Sequence, residues 1–290
     1  MYVPKREDIR VVGVYHYTDY QSEKAAEVIE KFKAGRANAI SVTPWFGFKE
    51  ESFDCLSKLE GLKAVSIQGF PNFSLDVLEQ LPQLEDLGID ETKSTLDFER
   101  LKNLTSLSIV WHKKLFRNAV SANLERLYLW KYKPTSNDLS DFPQFNQLKL
   151  LDLTQGTITS LHGISRFSGL NNLALHYLSK LEHLDELNLP ELTKFRAENC
   201  KNLSDYQQLA TCKNLEEIRM LSCGAMQSLE FVRSLRKLKI FNFLKTEVID
   251  GDLSPLLNLD SVNFTEKTHY SHKTKNFNQM MDGVNVHKAE

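Results

Sequence analysis

Few residues in this sequence could do covalent or metal chemistry, and they are badly spaced for it. Ser234-Leu235-Arg236-Lys237 has the S-x-x-K spacing in which a lysine amine can activate a serine hydroxyl. The S-D-N and K-T-G stretches that complete such an acyl-transfer site do not occur. His269 and His272 place two imidazoles three residues apart with no cysteine or third ligand nearby, whereas a closed site needs four ligands. Cys55, Cys200, Cys212 and Cys223 form neither C-x-x-C nor any zinc spacing and are too few to staple 290 residues. The phosphate-cradling, dinucleotide, zinc-helix and nucleophile-elbow patterns are absent as well. The expectation is a protein that is not an enzyme, with no catalytic residue, no metal and no cofactor.

Composition narrows the partners. Lys and Arg number 36 against 38 Asp and Glu, a formal net charge of -2, without the basic excess of a general nucleic-acid binder. The opening MYVPKREDIRVVGV lacks a secretory apolar core, and no apolar run is long enough to span a bilayer. A cytoplasmic protein with reduced thiols is expected, with neither nucleic acid nor membrane as partner. The sequons at Asn72, Asn103, Asn202 and Asn263 then stay unglycosylated.

The elements that position these side chains come from an internal repeat. The pattern L-x-x-L-x-L, with conservative apolar swaps, starts at Leu62, Leu84, Leu104, Leu124, Leu148, Leu170, Leu192, Leu215, Leu238 and Leu259, at intervals averaging about 22 residues. The clearest unit runs Leu148, Leu151, Leu153, Ile158, Leu161, Ile164. The chain here resembles the leucine-rich repeat superfamily, in the 22-residue class similar to internalins and protein-phosphatase regulators. That resemblance implies an α/β solenoid: an arc with a parallel concave β-sheet of about 12 strands and a convex side of turns, 3-10 segments and short helices. At the ninth position of each unit the family usually carries asparagine. Here Cys200, Cys223, Thr92, His112, Tyr132, Gly156 and Thr246 stand there.

Period two in each unit's first half sends its fourth and sixth residues to the core and its third, fifth and seventh to the other face. Fuller helices are expected in the longer units at Leu62 and Leu124. The register extends backwards through Ala37, Ile40, Val42 and then Ile9, Val12, Val14. Between these, a helix over about 22–34 has Ser22 as its N-cap and Gly35 as its stop. The expected division is 1–58 as irregular N-terminal repeats, 59–265 as leucine-rich repeats and 266–290 as a C-terminal cap or tail.

Because inward positions are committed to packing, partner recognition is expected on the free face. There the spacing gathers Trp111, Arg126, Tyr128, Trp130, Asp152, His176 and Tyr177 on adjacent strands, with Tyr132 at the rim. Aromatic rings with an arginine are the usual anchors of protein interfaces. Asp86, Asp90 and Glu91 lie to one side of them and Lys194, Arg196 and Arg219 to the other, interrupted by Glu198 and Glu217. The sequence therefore points to a non-catalytic protein-protein interaction module binding a protein partner on this face, of an inhibitory or immunity type. The alternatives are an enzyme with an unrecognised site and a structural scaffold.

Overall fold

The structure, a computed structural model, describes residues 9–277 except 82. It divides into two compact units, one of residues 1–129 with 143–147 and one of 130–142 with 148–290.

In the first unit β1 (Arg10–Val12), β2 (Tyr15–Asp19), β3 (Ala39–Val42), β4 (Ala64–Ile67), β5 (Asp86–Ile89), β7 (Ser106–Val110) and β9 (Arg126–Trp130, whose last residue falls in the other unit) form a ladder in chain order. A side pair, β6 (Leu96–Asp97) with β8 (Phe116–Arg117), is parallel. Register stacks Ile40, Val65, Leu87 and Leu107 in one buried row and Val42, Ile67, Ile89 and Ile109 in the next.

The second unit holds β10 (Leu150–Thr154), β11 (Asn172–His176), β12 (Lys194–Glu198), β13 (Glu217–Leu221), β14 (Ile240–Leu244) and β15 (Ser261–Phe264), all parallel. Its inner rows are Leu151, Leu173, Phe195, Ile218, Phe241, Val262 and Leu153, Leu175, Ala197, Met220, Phe243, Phe264. No repeat could bury such a row alone, so each relies on its neighbours. Short 3-10 turns at Ile164–Arg166, Tyr206–Thr211, Glu230–Ser234 and Ser254–Leu256 return the chain between strands. Among the described residues thirteen strands take part in these ladders, counted over both units.

The N-terminal register departs from expectation. β1 is antiparallel to β2, and Val12 and Val14 are exposed, Val14 at 74%. The parallel ladder begins at β2, whose inward Thr18 is polar and therefore carries no apolar signal. The helix is a 3-10 turn Ser22–Lys24 running into α1 (Ala25–Lys33), which buries Val28 and Phe32. Ser22 does not cap it, because its Oγ accepts the Lys49 N–H at 2.8 Å. Gly35, at φ 65°, ends it with its N–H on the Phe32 carbonyl.

Neither long unit has the fuller helix expected. Residues 131–149 form turns and bends, and the stretch after β4 has only the 3-10 turn Leu78–Gln80. Pro71, Pro134 and Pro143 explain this, since each removes a donor and biases its preceding residue away from helix. At the far end residues 266–277 fold back on β15: Tyr270 and Phe277 are buried against Phe264, and the Val248 N–H donates to the Tyr270 hydroxyl at 3.0 Å. Residues 278–290 of the expected cap or tail lie outside the described residues.

At the ninth position Thr92, Tyr132, Cys200, Cys223 and Thr246 are buried, and His112 and Gly156 partly so. Without asparagine, backbone takes over: Thr157 N–H donates to Tyr132 O at 3.0 Å and Gly224 N–H to Cys200 O at 3.1 Å. All four cysteines are unpaired, three of them buried, with Cys55 partly exposed. A thiol reagent is expected to modify Cys55 first in the native protein and all four in denaturant. Fast native labelling of Cys212, whose thiol burial pushes upward in pKa, would contradict the packing.

Candidate protein-binding face

The seven residues expected on the free face fall in two units, and each group is described by itself. Trp111, Arg126 and Tyr128 belong to the first, all partly exposed. Arg126 closes a row that runs Ala64, Asp86, Ser106 in register, with acids and tyrosines around it. Tyr15 Oη donates to Glu85 at 3.4 Å, and Lys63 pairs with Glu85 at 2.9 Å. Burial raises the Asp86 carboxyl above its usual range, opposed by a Ser106 hydrogen bond and the charge of Arg126. Asp90 is committed to backbone, accepting the Gly69 and Glu91 N–H groups.

The raised Asp86 value gives a sign for stability. Its folded state holds the proton more tightly than the unfolded chain, so this contribution is fully present below 3.8 and is lost as pH rises through the folded value. Asp86→Asn does not titrate. Its stability relative to wild type is expected to climb as pH rises from 3.8 toward neutrality, read from urea midpoints across pH. A difference independent of pH would contradict the assignment.

Trp130, Asp152, His176 and Tyr177 belong to the second unit. Strand register sets Thr154 beside His176 and His176 beside Glu198. The two imidazole nitrogens face one carboxylate each: Nε2 lies 3.6 Å from Asp152 Oδ2 and Nδ1 3.4 Å from Glu198 Oε2. Thr154 Oγ1 donates to Asp152 Oδ1 at 2.9 Å. Glu198 Oε1 accepts from Asn199 at 3.3 Å and from the Tyr177 hydroxyl at 3.5 Å. Burial raises the Asp152 carboxyl, with His176 and Thr154 opposing. One strand further on, Glu217 Oε1 takes Arg196 at 3.1 Å and Arg219 at 2.6 Å, so both arginines are paired with one carboxylate.

Backbone conformation displays the eighth residue of six successive repeats, those starting at Leu124 through Leu238. Lys131, Gln155, Tyr177, Asn199, Ser222 and Lys245 all have φ between 51° and 58°. The first five donate their N–H to the carbonyl of Thr154, His176, Glu198, Leu221 and Leu244 in turn, at 2.8 to 2.9 Å. The main chain is thus fixed by the ladder. Tyr177 is 51% exposed and Trp130 43%.

Tyr132 does not stand at the rim. It is 1% exposed and packs edge-on to Phe142, because the ninth position turns inward after the left-handed eighth. Glu198 was not among the expected site residues; among neighbouring lysine and arginine positions it reads as an interruption of charge. Reading across rows, at offsets of 22 residues, would have found it opposite His176.

The other chemistry-bearing residues are placed as follows. Ser234 Oγ donates to Phe231 O at 2.8 Å. His269 Nε2 lies 3.0 Å from Val248 O, and His272 Nδ1 2.8 Å from Ser271 Oγ. Among the described residues, His183, Asp185 and Asp205 bring ligand atoms within 4.8 Å of one another, and Ser160 already donates to Asp185 at 2.9 Å.

A strand of five residues, a left-handed turn and a short return, repeated with parallel register, define a repeat solenoid. The fold is that of leucine-rich-repeat solenoids. Residues 132–266 match the family described as the leucine-rich-repeat domain of the endo-β-N-acetylglucosaminidase EndoS. The structure is similar to an internalin, InlF, of Listeria monocytogenes, at 15% identity and a TM-score of 0.52, covering 82% of this chain and 72% of that one. A leucine-rich-repeat protein of Leptospira interrogans aligns at 16% identity and a TM-score of 0.48, covering 81% and 74%. No curated protein matches the sequence. Leucine-rich-repeat folds are generally protein-interaction modules and typically not enzymes. No helix among the described residues is long and apolar enough to cross a membrane.

Proposed function

We propose that the protein is a non-catalytic module that binds a protein partner on the free face of its sheet, with Trp130 and Tyr177 as anchors and Asp152, His176 and Glu198 as polar contacts. The single observation carrying this reading is the half-exposure of two large aromatic side chains on a face whose opposite side buries its apolar residues. Such rings bury much area at little rotamer cost, and hot spots are enriched in them. Trp111, Arg126 and Tyr128 of the first unit are assigned the same kind of role. A repeat protein acting this way works by occupancy, blocking a partner or neutralising it, as an inhibitory or immunity-type protein does. Four unpaired cysteines support a cytoplasmic setting.

The test is capture from a lysate of the source cell by immobilised wild type, Trp130→Ala, Tyr177→Ala and Lys180→Ala, read by mass spectrometry. The expected result is a protein held by wild type and by Lys180→Ala but lost by both aromatic variants. Equal capture by all four would remove this face from the reading, and no capture above bare beads would favour a scaffold.

A further inference from the structure

The position-nine cysteines of two consecutive repeats meet beside an opening to solvent. Cys200 follows Glu198 by two residues and Cys223 follows Leu221 by two, and Glu198 and Leu221 are register partners on β12 and β13. The two cysteines are therefore one strand spacing apart, about 4.8 Å. That lies inside the range of roughly 4.4 to 6.8 Å between Cα atoms that a disulfide spans. Cys200 Sγ lies 3.5 Å from the Leu175 carbonyl oxygen and Cys223 Sγ 3.6 Å from that of Leu221, and Gly224 N–H donating to Cys200 O at 3.1 Å ties the two turns together. Cys200 is wholly buried. Cys223 is 9% exposed and lines an open cavity of about 340 Å³ with Lys245, Thr246, Glu247 and Lys267.

We propose that Cys223 is a site of reversible oxidation by a small hydroperoxide, with Cys200 as its resolving thiol. The sulfur of Cys223 attacks the peroxide oxygen, the O–O bond breaks, and a sulfenic acid forms with release of one water when the oxidant is hydrogen peroxide. The Cys200 sulfur then attacks the Cys223 sulfur, the S–O bond breaks, and a second water leaves with the proton of the Cys200 thiol. Two thiols are oxidised to one disulfide and one peroxide is reduced to two waters. The order of events follows from access, since of the two only Cys223 meets solvent. The neighbouring Cys200 thiol lowers Cys223 in pKa against burial and the charge of Glu198, while Cys200 is raised by Cys223 and by burial. Cys212, buried against the Leu187 carbonyl at 3.2 Å, is on a return segment and outside this pair.

The experiment uses the full chain, reduced, freed of reductant and treated with hydrogen peroxide. Thiol titration in denaturant is expected to fall by two from four, non-reducing peptide mapping to join Cys200 with Cys223, and dithiothreitol to restore the count. Cys200→Ser lacks the resolving thiol, so Cys223 is expected to accumulate as sulfenic acid and take up dimedone, and Cys223→Ser to take up none. An unchanged thiol count, a linkage through Cys55 or Cys212, or dimedone on Cys200 instead of Cys223 overturns the proposal. The wild-type map stands whether or not either variant folds.

Discussion

Gly224→Ala is expected to lower the unfolding free energy by about 3 kcal/mol, the upper part of the range for overpacking a closed site. A Cβ at this position would lie 2.8 Å from the Lys201 carbonyl oxygen and press on that of Leu203. Both obstacles are backbone, so no rotamer change relieves them. The residue is also fixed from its other side, because its N–H donates to Cys200 O at 3.1 Å and its carbonyl accepts the buried Tyr206 hydroxyl at 2.6 Å. Moving the chain away breaks one or both bonds and leaves buried polar groups unpaired, which costs more than the bonds contributed. Gly169 is the control: a Cβ there meets only the Leu148 carbonyl at 3.6 Å, an ordinary contact, and Gly169→Ala is expected to be near neutral. Urea denaturation followed by far-UV circular dichroism separates the two. Equal midpoints for both variants would mean that adjacent turns are not in this close register.

Trp130→Ala is expected to weaken binding of the captured partner by about 2 kcal/mol or more, roughly thirtyfold in Kd, without moving the unfolding midpoint. Exposure separates the two effects: a ring that is 43% exposed contributes little to the folded core but presents area for desolvation by a partner. Lys180→Ala, an exposed charge on the stretch after the displayed row, is expected to leave Kd within a factor of two, as surface charges away from hot spots do. Isothermal titration with wild type and both variants reads all three values. Unchanged affinity for Trp130→Ala would move attention to the first unit's Trp111 and Tyr128 or to α1.

Most of the ladder was legible because every repeat writes its core in the same places. Leu151, Leu173, Phe195, Ile218 and Phe241 recur at nearly constant intervals, and period-two alternation assigns their face without further information. β2 was illegible for the complementary reason: its inward Thr18 is polar, so Val12 and Val14 nearby gave a false apolar register. Tyr132 was misplaced because a tyrosine at a turn reads equally as rim or core, and only the left-handed Lys131 before it decides which. Ser22 has the right type and place for a cap, but Lys49, distant in sequence, takes its hydroxyl. Glu198 could have been found by comparing repeats position by position, since its role depends on His176 in the preceding one.

The left-handed row Lys131, Gln155, Tyr177, Asn199, Ser222 and Lys245 has a consequence for how this protein can change. Each non-glycine residue held there costs about 1 kcal/mol relative to a right-handed conformation. Yet where the row is tied into the ladder it is the backbone N–H that does so, a bond any non-proline side chain leaves in place. Glycine would remove the strain and keep the bond, at the loss of whatever the side chain displays. Recognition is thereby decoupled from folding at these six places. Natural drift or laboratory diversification there can rewrite what the protein recognises while the repeat architecture stays as it is.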